Sequence, residues 1–142
     1  MATRKANATW KGGLKDGKGN VSLGSGAYEG QYSFQSRFEE GTGTNPEELI
    51  GAAHAGCYSM ALSASLEQAG FKPKSVSTEA RVHLSKEGEG FAIKKIDLVT
   101  KAEIPDISEE EFQKQAKSAK ENCPVSKVLT GAEISLDATL AS

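Results

Sequence analysis

The sequence predicts an α+β domain, with strands, a long helix, more strands, a second helix and a closing strand in that order. Three observations carry this reading. Residues 76–84 and 96–104 alternate apolar and polar side chains with the period of two of a half-buried strand. Residues 45–70 form a long run of small and apolar residues between a helix start signal and Gly70. Ser108 followed by Glu109, Glu110 and Glu111 marks a second helix start.

In order along the chain, Ala6 to Trp10 alternates, and residues 11–20, rich in Gly, Lys and Asp, read as a hairpin loop. Val21 to Leu23 and Tyr28 to Phe34 are the next strands, with Gly24, Gly26 and Gly30 suited to turns or bulges. A β-meander therefore opens the protein. Asn45 is placed to cap the long helix, Pro46 suits its first position, Glu48 completes a capping-box pattern, and Gly70 suits a left-handed stop. Leu49, Ile50, Ala52, Ala53, Ala55, Gly56, Cys57, Met60, Ala61, Leu62, Ala64 and Leu66 cover most of its circumference. Such a helix is expected to be buried on several sides. Small residues between Gly51 and Gly56 would let a second backbone approach, either another copy of the helix or a sheet.

The strands at 76–84 and 96–104 are expected to pair as a hairpin turned at Gly88 and Gly90. Phe91 and Ile93 have the opposite parity to Ile96 and Leu98, which predicts a bulge near Lys94 or Lys95. The second helix should run from Ser108 to about Asn122, where Pro124 interrupts it. Val125 to Thr130 can form a short further helix, and Ile134, Leu136, Ala138 and Leu140 alternate as a last strand.

Composition narrows the function. At 142 residues the chain is read as a single domain, 1–142. Seventeen Lys plus Arg against nineteen Asp plus Glu give a net charge of −2, with no basic patch, so nucleic acid is not expected as a partner. The longest apolar stretches break off before the ~20 residues of a membrane span, and MATRKANATW lacks a signal-peptide apolar region. No membrane association and a cytoplasmic location are the expectations. Cys57 and Cys123 are too few for a disulfide scaffold, and a reducing cytoplasm disfavours a structural bridge. Inert buried thiols, a metal site and redox chemistry remain as readings.

Cys123 precedes Pro124, so at a helix start its thiol would occupy the cap, where N–H groups stabilise a thiolate. Cys57 lies deep in the long helix, three residues after His54 and on roughly the same face. Local electrostatics alone rank Cys123 as the more reactive thiol. His54 can serve as a general base, as a metal ligand or simply as a helix histidine, and His83 falls on the polar parity of its strand. A zinc site of His54, Cys57, His83 and Cys123 would lack the compact ligand pairs of known sites. Arg37, flanked by Phe34 and Phe38, either forms a surface ion pair with Glu39 or Glu40 or lowers a thiol pKa while itself held by a carboxylate.

The segments RFEEGTGTNPEELIGAAHAGCYSMAL and ENCPVSKVL resemble the osmotically inducible protein C (OsmC) family, related to the organic hydroperoxide resistance proteins. The resemblance runs over most of the chain, from near Trp10 to SLDATL. It implies an intertwined homodimer, with antiparallel sheets wrapped around two long central helices. It also implies a cysteine-based peroxidase, active in oxidative and osmotic stress defence, that reduces organic hydroperoxides and, less efficiently, hydrogen peroxide. No cofactor and no metal are implied. By motif, Cys57 would be the attacking thiol and Cys123 the resolving one. They would close a disulfide that a dithiol reductant reopens, a lipoylated protein being one candidate reductant. Arg37 would stabilise the Cys57 thiolate and the peroxide, oriented by Glu47, with the adjacent Glu48 as the alternative.

Ten residues on one helix separate Glu47 from Cys57 by ~15 Å along the axis. They cannot meet directly on one regular helix; if two such helices cross antiparallel about a twofold axis, Glu47 of one chain can approach Cys57 of the other, in agreement with the dimer that the resemblance implies. Phe38, Leu49 and Met60 are candidate apolar lining for bulky peroxides, though each also reads as core. The alternative to an enzyme is a noncatalytic stress-associated ligand-binding dimer with buried thiols.

Overall fold

The computed structural model describes residues 2–141. Their contacts group into two compact units, one up to Leu49 and one from Ile50 onwards. In the first unit, β1 (Ala6–Lys11), β2 (Lys18–Leu23) and β3 (Glu29–Tyr32) form an antiparallel meander in that spatial order. The expected hairpin loop is shorter than residues 11–20, because Lys18 already pairs with Lys11. On β2, Gly19 lies between Trp10 of β1 and Tyr32 of β3. A methyl group there would collide with both rings, which pack at a centroid distance of 5.4 Å.

The strand expected to reach Phe34 stops at Tyr32, and Phe34–Phe38 forms a short helix, α1. The cause is local. Ser33 Oγ accepts from the N–H of Ser36 while Ser36 Oγ accepts from the N–H of Ser33, a reciprocal capping box that turns the chain out of the sheet. Ser36 Oγ also donates to the carbonyl of Thr44 at 2.7 Å, tying α1 to the segment that enters the long helix.

That helix, α2, spans Pro46–Gln68. Asn45 Oδ1 accepts from the Glu48 N–H at 2.8 Å, and Pro46 stands first, as expected. The Glu48 carboxylate accepts instead from Thr44 Oγ1 at 2.7 Å, so it bonds one residue upstream of the expected capping partner. At the other end, Gly70 takes a φ of +95°. The Phe71 N–H bonds the Leu66 carbonyl, and the Gly70 N–H bonds the Glu67 carbonyl. This is the Schellman pattern that the left-handed glycine permits.

In the second unit, β4 (Ser75–Glu87) and β5 (Gly90–Glu103) pair antiparallel. Their register shifts at His83/Leu84, where Lys95 and Ile93 are the partners and Lys94 is the extra residue, at one of the two positions expected. The closing strand β6 (Glu133–Ala141) joins β5 in parallel, so the antiparallel β4–β5 pair is extended into a mixed sheet. The crossover explains it: α3 (Glu109–Asn122) and α4 (Pro124–Val128) lie between β5 and β6, long enough to return the chain to the same end of the sheet. Ser108 Oγ caps α3 by accepting from the Glu111 N–H at 3.1 Å. The short helix after Pro124 begins and ends slightly earlier than residues 125–130.

The core of this unit is built from Tyr58, Leu62 and Leu66 of α2, Leu98 and Ala102 of β5, and Phe112, Ala116 and Ala119 of α3. The buried stripe of α2 recurs every four residues, at His54, Tyr58, Leu62 and Leu66. Leu62→Ala is expected to lower stability by ~2–5 kcal/mol in denaturant unfolding. A loss below ~1 kcal/mol would contradict this packing.

Burial of α2 on several sides is not what the single chain shows. Ala52, Ala53, Gly56, Met60 and Ala64 form an exposed stripe, and Met60 is 76% exposed. The small residues divide between two faces: Gly51 lies against Ala80 and Val82 of β4, whereas a Cβ at Gly56 would meet nothing within 4 Å. By length and composition α2 is also apolar enough to cross a membrane, contrary to the expectation drawn from interrupted apolar runs. One face of it, through Tyr58, Leu62 and Leu66, packs into the core with residues of β5 and α3.

Candidate active site

Sixty-six positions apart in sequence, the two thiols meet. Cys57 sits mid-way along α2, one position before Tyr58, whose hydroxyl anchors the helix to the Ala116 carbonyl of α3 at 2.9 Å. Cys123 ends α3 and caps α4, held by its own N–H on the Ala119 carbonyl and by the Lys127 N–H on its carbonyl. Pro124 at the first position of α4 fixes this break between the helices and aims the Cys123 side chain back at α2. The two Sγ atoms stand 2.9 Å apart, and both cysteines are free. Cys57 is half-buried and Cys123 fully buried.

Their environments differ. Burial pushes the Cys57 thiol up, its hydrogen bond with Cys123 and the charge there push it further, and the Val125 N–H opposes them. Burial also acts to raise Cys123. There it is outweighed by hydrogen bonds from Cys57, from the N–H and hydroxyl of Ser126 and from the N–H of Val125, which bring the thiol below its ordinary value. At this separation the dithiol loses its first proton as a unit. The negative charge is favoured towards the start of α4, as the cap position of Cys123 leads one to expect.

His54 is fully buried one turn before Tyr58, with Nε2 2.7 Å from Ser126 Oγ. Burial lowers its pKa, so the imidazole is neutral. Sequence reasoning singled out His54 but missed Ser126. The available signal was its position three residues after the cap Cys123, where a helix presents its free N–H groups to the capping side chain. His83 lies elsewhere, on β4, where Nε2 meets Asp97 Oδ2 at 2.7 Å in a half-exposed pair. Among the described residues, no group of three or more His, Cys, Asp or Glu side chains converges as a metal site would require.

The first unit brings Arg37 and Glu47 together. Arg37 Nε donates to Glu47 Oε1 at 3.1 Å and Nη2 to Oε2 at 2.8 Å, a bidentate pair. Glu47 is buried at the first turn of α2, and about a third of the Arg37 side chain remains exposed. Glu48, engaged with Thr44, is not the partner, and neither Glu39 nor Glu40 takes the surface pairing weighed for Arg37. The guanidinium also packs over the Phe38 ring at 5.2 Å. Trp10, Leu14, Tyr32, Phe34 and Phe38 line a cleft of about 250 Å³ together with Arg37. Of the expected lining residues, Phe38 belongs to this cleft; Leu49 does not, and Met60 lies on the open stripe of α2.

The chain resembles known proteins along nearly its whole length. Residues 39–138 match the model of the OsmC-like protein family. The chain is 52% identical over 140 residues to Peroxiredoxin OsmC of Escherichia coli, covering 98% of this chain and 97% of that one. The crystal structure of the organic hydroperoxide resistance protein OhrB of Bacillus subtilis superposes with a TM-score of 0.72 at 27% identity, over 96% of this chain and 98% of that one. An organic hydroperoxide resistance protein from Elizabethkingia anophelis superposes with a TM-score of 0.75 at 26% identity, over 99% of each chain. With the family match spanning α2 and both cysteines and a relative this similar along nearly its whole length, the chain belongs to the OsmC-like family.

Proposed function

We propose that the chain is a cysteine-based peroxidase that reduces organic hydroperoxides, and hydrogen peroxide less efficiently, through Cys57 and Cys123. The observation that carries this is the free dithiol with its sulfurs 2.9 Å apart, one of them reachable from outside. The names of the relatives, a peroxiredoxin and organic hydroperoxide resistance proteins, support the same chemistry.

In the first step the Cys57 thiolate attacks the outer peroxide oxygen, the O–O bond breaks, and the departing alkoxide takes a proton to leave as the alcohol. Cys57 is thereby oxidised to the sulfenic acid. Cys123 then attacks the Cys57 sulfur, the S–O bond breaks, and hydroxide leaves as water with the proton Cys123 has given up. An external dithiol reduces the resulting disulfide, taking up the oxidation and returning two protons. A small dithiol or a lipoylated protein has the required chemistry. Cys57 takes the attacking role although the charge is favoured on Cys123, because a buried sulfur is closed to a bulky peroxide. The shared proton keeps Cys57 in exchange with its thiolate.

Arg37 stabilises that thiolate and the peroxide oxygens, and Glu47 fixes the guanidinium plane. Glu47 and Cys57 lie ten positions apart on α2, ~15 Å along its axis. A homodimer in which two α2 helices cross through their exposed small-residue stripes would carry Arg37–Glu47 of one chain to the dithiol of the other. The aromatic cleft beside Arg37 then holds the organic part of the substrate. The dimer acts in the cytoplasm, where thiols are kept reduced.

Rates with a bulky aryl hydroperoxide and with hydrogen peroxide, under a dithiol reductant, test the assignment. The aryl substrate is expected to react at least ~10-fold faster per active site, and Phe38→Ala to narrow that gap by raising KM for the aryl substrate. Equal rates for the two peroxides would remove the organic preference.

A further inference from the structure

We propose that His54 and Ser126 are positioning residues for the resolving step: the His54 imidazole, as its Nε2–H tautomer, holds the Ser126 hydroxyl so that its proton points at Cys123 Sγ. The inference rests on the reading of Cys123 as the resolving thiol and adds to it two residues that the peroxidase chemistry above does not use.

The position of one imidazole proton fixes the geometry. His54 is fully buried and neutral, so a single N–H is shared between two ring nitrogens. Nε2 lies 2.7 Å from Ser126 Oγ, while Nδ1 is buried and, among the described residues, has no hydrogen-bond partner. A buried N–H without an acceptor costs more than a buried lone pair without a donor. The proton therefore belongs on Nε2, which donates to Ser126 Oγ. With its oxygen so engaged, the Ser126 hydroxyl directs its own proton elsewhere. Ser126 is the third residue of α4, the helix that Cys123 caps, and its N–H and hydroxyl are among the donors that lower the Cys123 thiol pKa.

The Cys123 side chain makes no capping hydrogen bond on α4, and the nearby donors of Val125 and Ser126 favour its thiolate over the thiol. A thiol is a weak acceptor, whereas the thiolate is a strong one. The His54–Ser126 pair is thus a donor set in advance for the charge that Cys123 carries when it attacks the Cys57 sulfenic acid. In that step the S–O bond of Cys57 breaks, the Cys57–Cys123 bond forms, and the Cys123 proton departs with the hydroxide as water. His54 takes no proton itself; it acts through Ser126. Among the described residues, the titratable groups bearing on Cys123 are Cys57 and Tyr58, both on α2, and α4 adds the uncharged donors of Val125 and Ser126.

The test separates this role from the peroxidase reading. In a Cys57→Ser background only one cysteine titrates, and its thiolate absorbance reports Cys123 without any peroxide. Ser126→Ala and His54→Leu are each expected to move that midpoint upward by about one pH unit, a ~10-fold smaller thiolate fraction. His54→Gln, which keeps an N–H donor near the Nε2 position but cannot titrate, is expected to restore most of the shift. With Cys57 present, rapid quenching after a peroxide pulse should show disulfide closure slowed ~10-fold by Ser126→Ala relative to sulfenic acid formation.

A Cys123 midpoint unmoved in folded Ser126→Ala would overturn the proposal, as would a His54→Gln chain behaving like His54→Leu. Ser126→Ala deletes a single oxygen and carries the test should His54→Leu not fold. Persistent peroxide consumption in Cys57→Ser would defeat the assignment of Cys57 as the attacking thiol instead, and leaves the Cys123 titration as an independent result.

Discussion

Cys57→Ser is expected to abolish thiol-dependent peroxide consumption, by ~10³-fold or more, because no second thiol is open to the substrate. Cys123→Ser is expected to behave differently. It should complete one oxidation per chain in a burst and then stall, since the sulfenic acid on Cys57 lacks its resolving partner and the external dithiol must attack it directly. The buried position of Cys123 and its cap at α4 make the contrast sharp: the sulfur with the more favoured charge is also the one the substrate cannot touch. A burst lost in Cys123→Ser and kept in Cys57→Ser would reverse the roles and show that helix-cap electrostatics outweigh access.

Arg37→Leu should slow the first oxidation by ~10²-fold, the loss seen when a preorganised donor to developing charge is removed. Arg37→Lys should recover only part of it. A lysine offers Glu47 a point charge instead of two parallel donors and leaves the ammonium unfixed in direction. Glu47→Gln tests the same device from the other side and adds information on assembly. Chains carrying Cys57→Ser, when mixed and refolded with chains carrying Glu47→Gln, should regain activity above either parent if the arginine pair of one chain serves the dithiol of the other. Mixed dimers no more active than the Glu47→Gln parent would place each complete site in one chain. The motive is the helical spacing, ten positions and ~15 Å between Glu47 and Cys57 along α2.

Much of the fold is legible in the residues because its signals are local. The period of two in β4 and β5, the parity break that locates Lys94, the Asn45–Pro46 start and the Gly70 stop all act within a few positions. The misses have equally definite causes. Phe34 reads as the end of a strand until Ser33 and Ser36 are recognised as a capping box. The alternation of β6 is the same whether it pairs parallel or antiparallel, so only the intervening helices reveal its direction.

The site divides in the same way. Cys123 as a helix cap follows from Pro124 alone, yet the approach of Cys57 across 66 positions is a tertiary fact that no local pattern encodes. Glu47 and Glu48 are indistinguishable as neighbouring acids, and the structure separates them through Thr44, which occupies Glu48. Ser126 carries no sequence signal beyond its place in the first turn of α4.

The central claim is that Cys57 and Cys123 form one redox couple, and mass analysis under denaturing conditions after a stoichiometric pulse of organic hydroperoxide tests it most directly. The expected result is a chain lighter by two hydrogens, with Cys57 linked to Cys123, and no such change when either cysteine is replaced. Free thiols that survive the pulse unchanged would contradict it.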